Sequence, residues 1–424
     1  MKNSEIQWVG EIPINWGLKR IQFCLKEINV KNTPIQTTQV LSLLKDVGVL
    51  PYEEKGDIGN KSKENVSEYH LAYPNTIVLN CMNILIGSVG ISNYFGCVSP
   101  VYYVFKETKN SDLRFINYIF STREFQKELR KYAKGILEIR LRVSAYDILK
   151  RKIALPSKKE QTKIANFLDK KCSEIDSLYS DIEKQIEILE EYKKSVITEA
   201  VTKGLNPDVE MKDSGIEWIG MIPKHWVKQK IKNACSLLGS GTTPSSNVFE
   251  YYENGDIHWI QSGDIYQVNE VADTKTKITQ LGLRSSPSLK IYTAPFIVVA
   301  MYGASVGNAA ISKVTACANQ ACCCIKTNND NDLRYLYYWI NHCKPDFLSI
   351  AAGGGQPNIS QDKIKNQHFV APPINEQKDI ANHLDQKCSE IDAIIATKKT
   401  QLEILAEYKK SLIYECVTGK KEVN

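Results

Sequence analysis

Two groups of residues in this chain have types and spacing suited to contacting a polyanion. Arg114, Arg123, Lys127, Arg130, Lys131 and Lys134 recur between Asp112 and Lys134, a stretch whose apolar periodicity predicts one helix with a basic face. Just beyond it, Ile139-Arg-Leu-Arg-Val143 alternates, so Arg140 and Arg142 share one face of a predicted strand. Cations grouped in this way suit phosphate oxygens or the edge of guanine, although a basic helix is most often only a solvated face. The second group carries amides. Gly353-Gly-Gly-Gln-Pro-Asn-Ile-Ser360 reads as an exposed loop bearing Gln356 and Asn358, and Gln and Asn pair bidentately with adenine edges. For any single residue of that loop, turn chemistry is the plainer account.

Other chemistries are poorly supported. Asp208 and Glu210-Met-Lys212 imitate the acidic elements of metal nucleases, but they are adjacent in a polar linker instead of on neighbouring strands. Ile86-Gly-Ser-Val-Gly-Ile91 is a turn, since GxxxxGK[ST] is absent. Leu238-Gly-Ser-Gly-Thr-Thr-Pro244 lacks the following helix that a dinucleotide site needs. The twelve cysteines show no paired zinc spacing, and adjacent strand cysteines at 322–324 point to opposite faces. They read as buried free thiols in a reducing cytoplasm. No metal site is expected.

The elements that must position these residues are written twice. Glu160–Thr202 returns as Glu376–Thr418 at a constant offset of 216, with 26 of 43 positions identical. Ile6–Trp16 (IQWVGEIPINW) returns as Ile216–Trp226 (IEWIGMIPKHW). Each long copy carries a seam stepping by four and three: Leu168, Cys172, Ile175, Tyr179, Ile182, Ile186 and Leu189 in the first, Leu384, Cys388, Ile391, Ile395, Lys398, Leu402 and Leu405 in the second. That is the coiled-coil pattern, free of internal Pro and Gly, over roughly 60 Å of helix. Lys193, Lys398 and Lys409 interrupt the seam. Ser157 and Glu160 form a candidate capping box. Each stripe needs a partner, and the other copy is the nearest, so the helices are expected to pair antiparallel with a globular unit at either end.

The globular stretches mix β-type runs, such as Thr38–Leu44, Thr76–Leu79 and Val101–Phe105, with turn punctuation. Trp8, Pro13 and Trp16, repeated as Trp218, Pro223 and Trp226, are expected to pin each unit to its base. Asp332–Lys344 reads as an aromatic-rich helix. The N-terminus lacks a signal peptide's apolar core, and the longest apolar run, Phe296–Met301, is too short to span a bilayer. Net charge is +6, which permits an acidic partner without demanding one.

The order Trp-x-Gly-x-Ile-Pro-x-x-Trp, a variable stretch, Pro-x-x-x-Glu-Gln-x-x-Ile-Ala-x-x-Leu-Asp, a long helix ending Glu-Tyr-Lys-Lys-Ser, and then the whole again, resembles the specificity subunit of a type I restriction–modification system. Gly-Thr-Thr-Pro, Met-Tyr-Gly-Ala-Ser-Val-Gly and Gln-Pro-Asn-Ile-Ser in the second half are similar to phrases of that family; the first half lacks the first and last of them. The resemblance implies an α+β fold with two similar target-recognition domains separated by two long antiparallel coiled-coil helices, a pseudo-two-fold internal repeat. The boundaries are residues 1–155 for the first domain, 156–204 for the central spacer helix, 205–371 for the linker and second domain, and 372–424 for the C-terminal helix.

It further implies that each domain reads one half of a bipartite DNA site, while the helices set the gap and dock modification subunits. The expected DNA contacts are Arg123, Lys127, Arg130, Lys134, Arg140 and Arg142 in the first domain, and Tyr302, Gln320, Gln356 and Asn358 in the second. The chain itself is expected to be non-catalytic and cytoplasmic. Ala371-Pro-Pro-Ile374 lacks both ends of the [DN]-P-P-[YF] element that holds a flipped adenine. S-adenosylmethionine, ATP and magnesium belong by this resemblance to the modification and restriction subunits. The competing readings are a self-contained methyltransferase or nuclease, and a coiled-coil scaffold without sequence-specific DNA binding.

Overall fold

The structure is a computed structural model and describes residues 1–45, 47–56, 65–135, 141–352 and 357–423. Two compact units divide the chain: Met1–Glu183 with Lys398–Asn424, and Lys184–Thr397.

In the first unit, β1 (Leu25–Glu27), β2 (Thr76–Asn80), β3 (Val89–Ser92) and β4 (Tyr102–Glu107) form an antiparallel sheet in the order β1-β4-β2-β3. All five residues of β2 are buried, and its central apolar run Ile77–Leu79 suits a strand covered on both faces. Its alternation feeds two cores. Ile77 and Leu79 join Trp16, Phe105, Phe115 and Leu168 on one side, whereas Val78 joins Leu41, Val98 and Val104 on the other.

The basic stretch expected as a single helix is two: α1 (Leu113–Ser121) and α2 (Arg123–Arg130). The break lies at Thr122, whose backbone is extended and whose hydroxyl donates to the Ile119 carbonyl at 2.8 Å. A β-branched hydroxyl residue favours this local hydrogen bond over helix continuation. The redirected α2 brings Phe125 and Leu129 into the core, with Phe125 edge-on to Trp8 at 5.3 Å.

Two long helices follow, α3 (Lys158–Lys203) and, at the end of the chain, α5 (Ile374–Thr418). Only half of the capping box forms: the Glu160 amide reaches Ser157 Oγ at 3.3 Å, while the Glu160 carboxylate goes elsewhere.

The second unit repeats the plan. Strands β5 (Cys235–Ser240), β6 (Glu270–Val271), β7 (Phe296–Ala300), β8 (Ala309–Ser312) and β9 (Cys322–Thr327) lie in the order β5-β9-β7-β8-β6. Registers match: Ile77 pairs with Phe105 as Ile297 pairs with Ile325. The adjacent cysteines do split between faces, Cys323 to the core shared with Trp226 and Trp339, Cys322 and Cys324 to the opposite one. All twelve cysteines are free thiols, and burial pushes Cys24 up to about 11 and Cys235 to about 12. Helix α4 (Leu333–His342), N-capped by Asp332, stands where α1 does, and a short helix over Lys344–Ser349 follows it. Among the described residues no helix is long and apolar enough to cross a membrane.

Candidate nucleic-acid interface and its helical base

The Glu-Gln…Asp phrase at the start of each long helix is what seats a globular domain. In the first unit the Trp16 indole donates to Glu160 at 2.9 Å. Gln161 is wholly buried and fully satisfied: its oxygen accepts the Asp112 amide at 2.9 Å, and its nitrogen donates to the carbonyls of Pro156 and Asn110. Asp169 accepts Arg114 and Tyr118, each at 2.7 Å.

The second unit answers contact for contact. Trp226 donates to Glu376 at 3.0 Å, and Gln377 accepts the Asp332 amide at 2.9 Å. Asp385 accepts Arg334 at 2.6 Å and Tyr338 at 2.8 Å. Burial alone would raise the Asp112 carboxyl, but hydrogen bonds from Arg114 and Thr162 outweigh it and hold the group below its ordinary value. Arg114, counted by sequence with the basic face, is therefore spent on the helix base. The Asp-Leu-Arg triplet repeated at Asp112 and Asp332 was the sequence signal for this cluster.

Each domain is also gripped by the far end of the other helix copy. Gly419 follows α5 at φ +72°, and a Cβ there would lie 2.4 Å from Pro13 and 3.2 Å from the Trp16 ring. Gly204 follows α3 at φ +77°, and a Cβ there would lie 3.1 Å from Trp226. Only glycine supplies both the left-handed turn and the room. Further along, Lys409 bonds Asp176 in the first unit and Lys193 bonds Asp392 in the second, each at 2.6 Å. Within each unit, then, the start of one helix meets the end of the other, and the two segments run in opposite directions. Both lysine–aspartate pairs join the same repeat positions, which accounts for two of the lysines in the seam. Leu168, Ile175, Ile182, Ile186, Leu384, Ile391 and Ile395 are buried, and Leu189, Leu402 and Leu405 are half-buried.

Just beyond the C-terminal ends of β2 and β7, the two units carry different side chains on matching backbone. Val143 donates to the Cys81 carbonyl and Ile359 to the Met301 carbonyl; one residue earlier stand Arg142 and Asn358. Arg142 exchanges two backbone hydrogen bonds with Lys134, as Asn358 does with Ala352. Arg142 and Lys134 are exposed. Tyr302, 48 % exposed, forms a backbone bridge with Asn358, and Gly303 donates to the Pro357 carbonyl. Gln320 is exposed at the end of the strand at 316–318 and accepts the Thr243 hydroxyl at 2.8 Å. The structure thus brings Tyr302, Gln320 and Asn358 to one end of the second unit. Arg140 and Gln356 lie outside the described residues. Lys127 and Arg130 are exposed on α2, and Arg123 is ion-paired with Glu407 at 3.3 Å. The nuclease-like linker residues serve local structure: Glu210 pairs with Lys224, and Lys212 donates to the Trp226 carbonyl.

Residues 21–188 and 223–404 match the type I restriction modification DNA specificity domain. The chain belongs to that family. It is 24% identical over 433 residues to the type I restriction enzyme MjaVIII specificity subunit of Methanocaldococcus jannaschii, covering 97% of this chain and 94% of that one. It is 28% identical over 182 residues to the EcoR124I/EcoR124II specificity subunit of Escherichia coli, 41% of this chain and 45% of the other. The HsdS subunit from Thermoanaerobacter tengcongensis superposes with a TM-score of 0.59 at 14% identity, covering 99% of this chain and all of that one. A chain from a structure describing complex assembly and conformational transition of the type I R-M system reaches 0.76 at 13% identity, covering 97% and 100%. The specificity-family fold is therefore that of the whole chain.

One difference between the bases involves titration. His342, at the end of α4, packs against both Trp218 (5.4 Å) and Trp339 (5.6 Å), with Thr198 Oγ 3.1 Å from its Nδ1. Burial pushes its imidazole down to about 4. Thr122 holds the matching place in the first unit.

Proposed function

We propose that this chain is the DNA-reading subunit of a type I restriction–modification complex, each unit reading one half of a bipartite site. The observation that carries the reading is the pairing of a repeated base with unlike tips. The Glu160/Gln161/Asp169 and Glu376/Gln377/Asp385 anchors are equivalent, whereas Arg142 in one unit stands where Asn358 stands in the other. Arginine suits guanine or phosphate and asparagine suits adenine, so the two half-sites differ in sequence. Arg140, Arg142, Tyr302, Gln320, Gln356 and Asn358 are the proposed base-side contacts; Arg123, Lys127, Arg130 and Lys134 lie toward the backbone phosphates.

The long helices set the unread gap and dock the modification subunits. Ile188 and Tyr192 are 64% and 53% exposed, and their repeat equivalents Ile404 and Tyr408 are 62% and 51% exposed, leaving an apolar surface outside the seam on each copy. The chain adds recognition and no catalysis: its sequence lacks the flipped-adenine element and the P-loop. S-adenosylmethionine, ATP and magnesium are used by the partner subunits, and the complex acts on DNA in the cytoplasm.

The deciding experiment is a single-molecule map of N6-methyladenine in cells expressing the chain with its modification subunit, against cells lacking it. A gained split motif with a fixed gap is expected; no gained motif from an assembled complex would leave a scaffold. Inserting four residues, about one turn or ~6 Å, into the seam of both helices should widen the gap by about two base-pair steps. Altered half-sites would contradict the spacer role.

A further inference from the structure

We infer that Thr243 is a positioning residue for Gln320, pre-setting its amide so that the second unit reads an adenine at that point of its half-site; the inference rests on the DNA-reading proposal above. Gly241-Thr-Thr-Pro244 is neither helix nor strand, yet it is fastened on both sides of Thr243. A Cβ on Gly241 would lie 1.8 Å from the Ala318 carbonyl oxygen, so the segment rests directly on the strand that ends at Ala318, two residues before Gln320. The buried Trp259 indole donates to the Thr242 carbonyl at 3.2 Å, and the Tyr252 hydroxyl donates to the Pro244 carbonyl at 2.5 Å.

Thr243 is thus presented by a fixed backbone, and its hydroxyl donates to Gln320 Oε1 at 2.8 Å. A glutamine amide offers two lone pairs on oxygen and two N–H groups. With one lone pair taken by Thr243, the other lone pair can accept from adenine N6 while Nε2 donates to N7. An exposed glutamine would otherwise have its rotamers ordered only on binding, and holding it beforehand removes that cost. The first unit supplies an internal control. Ser99 and Asn319 accept equivalent backbone hydrogen bonds, from Tyr102 and Cys322, so Pro100 occupies the position of Gln320 and carries no amide.

The test uses the assembled complex with its modification subunit and duplexes bearing every single-base change in the split motif. Gln320→Ala should lower discrimination at one A·T pair of one half-site by about tenfold or more. Thr243→Val should lower it at the same pair by about two- to tenfold, with Thr243→Ser restoring it. The double variant should be no worse than Gln320→Ala, because the two act as one unit. Unchanged discrimination in Thr243→Val, uniform weakening on every duplex, or relaxation at a G·C pair would overturn the inference. A wild-type complex with no preference among the duplexes would overturn the DNA-reading proposal itself, before any variant is made.

Discussion

Asp169 takes Arg114 and Tyr118 in the first unit, and Asp385 takes Arg334 and Tyr338 in the second. Beyond the C-terminal ends of β2 and β7, Pro100 of the first unit stands where Gln320 stands in the second, and Arg142 where Asn358 stands. The registers of the β2–β4 and β2–β3 pairs agree with those of β7–β9 and β7–β8, so this shared part of the scaffold does not account for the divergence. The bases are held alike because each domain must meet a helix whose anchoring Glu-Gln and Asp residues are repeated unchanged, and a changed partner would strand a buried polar group. Among the described residues, Arg142, Gln320 and Asn358 contact only their own unit's loops, and on the proposed function their side chains follow an external sequence.

The largest expected effect is at the base. Trp16→Ala and Trp226→Ala each remove a fully buried indole with its carboxylate bond, and each should cost about 3–5 kcal/mol in denaturant unfolding. A unit that tolerates the change would break the equivalence of the bases. The tips should behave oppositely. Arg142→Ala and Asn358→Ala should each weaken binding about 10- to 100-fold at its own half-site while leaving the other intact. Equal loss at both half-sites would mean that these residues supply folding or general charge.

How much of this was legible in the sequence depended on periodicity. The seams, the strands of unbroken apolar residues and the Trp-Pro-Trp segments announced themselves by spacing, because burial on a helix stripe or on both sheet faces forces a pattern. The break at Thr122 did not, since a single hydroxyl bonding to Ile119 decides it. Nor did the destination of Arg114: composition placed it with its basic neighbours, but Asp169, distant in sequence, claims it. Nor did the partners of Lys193 and Lys409, which interrupt the seam and pair with Asp392 and Asp176 on the other helix. The correspondence of Arg142 with Asn358 emerged only from the hydrogen bonds to Cys81 and Met301, because the loops around them differ in length and composition.

The smallest expected effect concerns pH, where the bases themselves part company. His342 is neutral in the fold above about pH 4, its imidazole held down to about 4 by burial against two indoles, against about 6.5 in an unfolded chain. Above pH 6.5 it is neutral in both states and contributes no pH dependence. As pH falls from 6.5 toward 4 the unfolded chain takes up a proton that the folded chain refuses, so stability falls; below 4 both bind it and the loss levels off. Thr122, in the matching place, cannot titrate in this way. Thermal unfolding of the wild type should therefore shift down between pH 7 and pH 5 by more than that of His342→Gln, which loses the imidazole but keeps a polar group near Thr198. The comparison is between pH slopes, so any pH-independent cost of the substitution cancels. Identical slopes would show that His342 is not the source, and that the two bases are as alike in acid as they are in their hydrogen bonds.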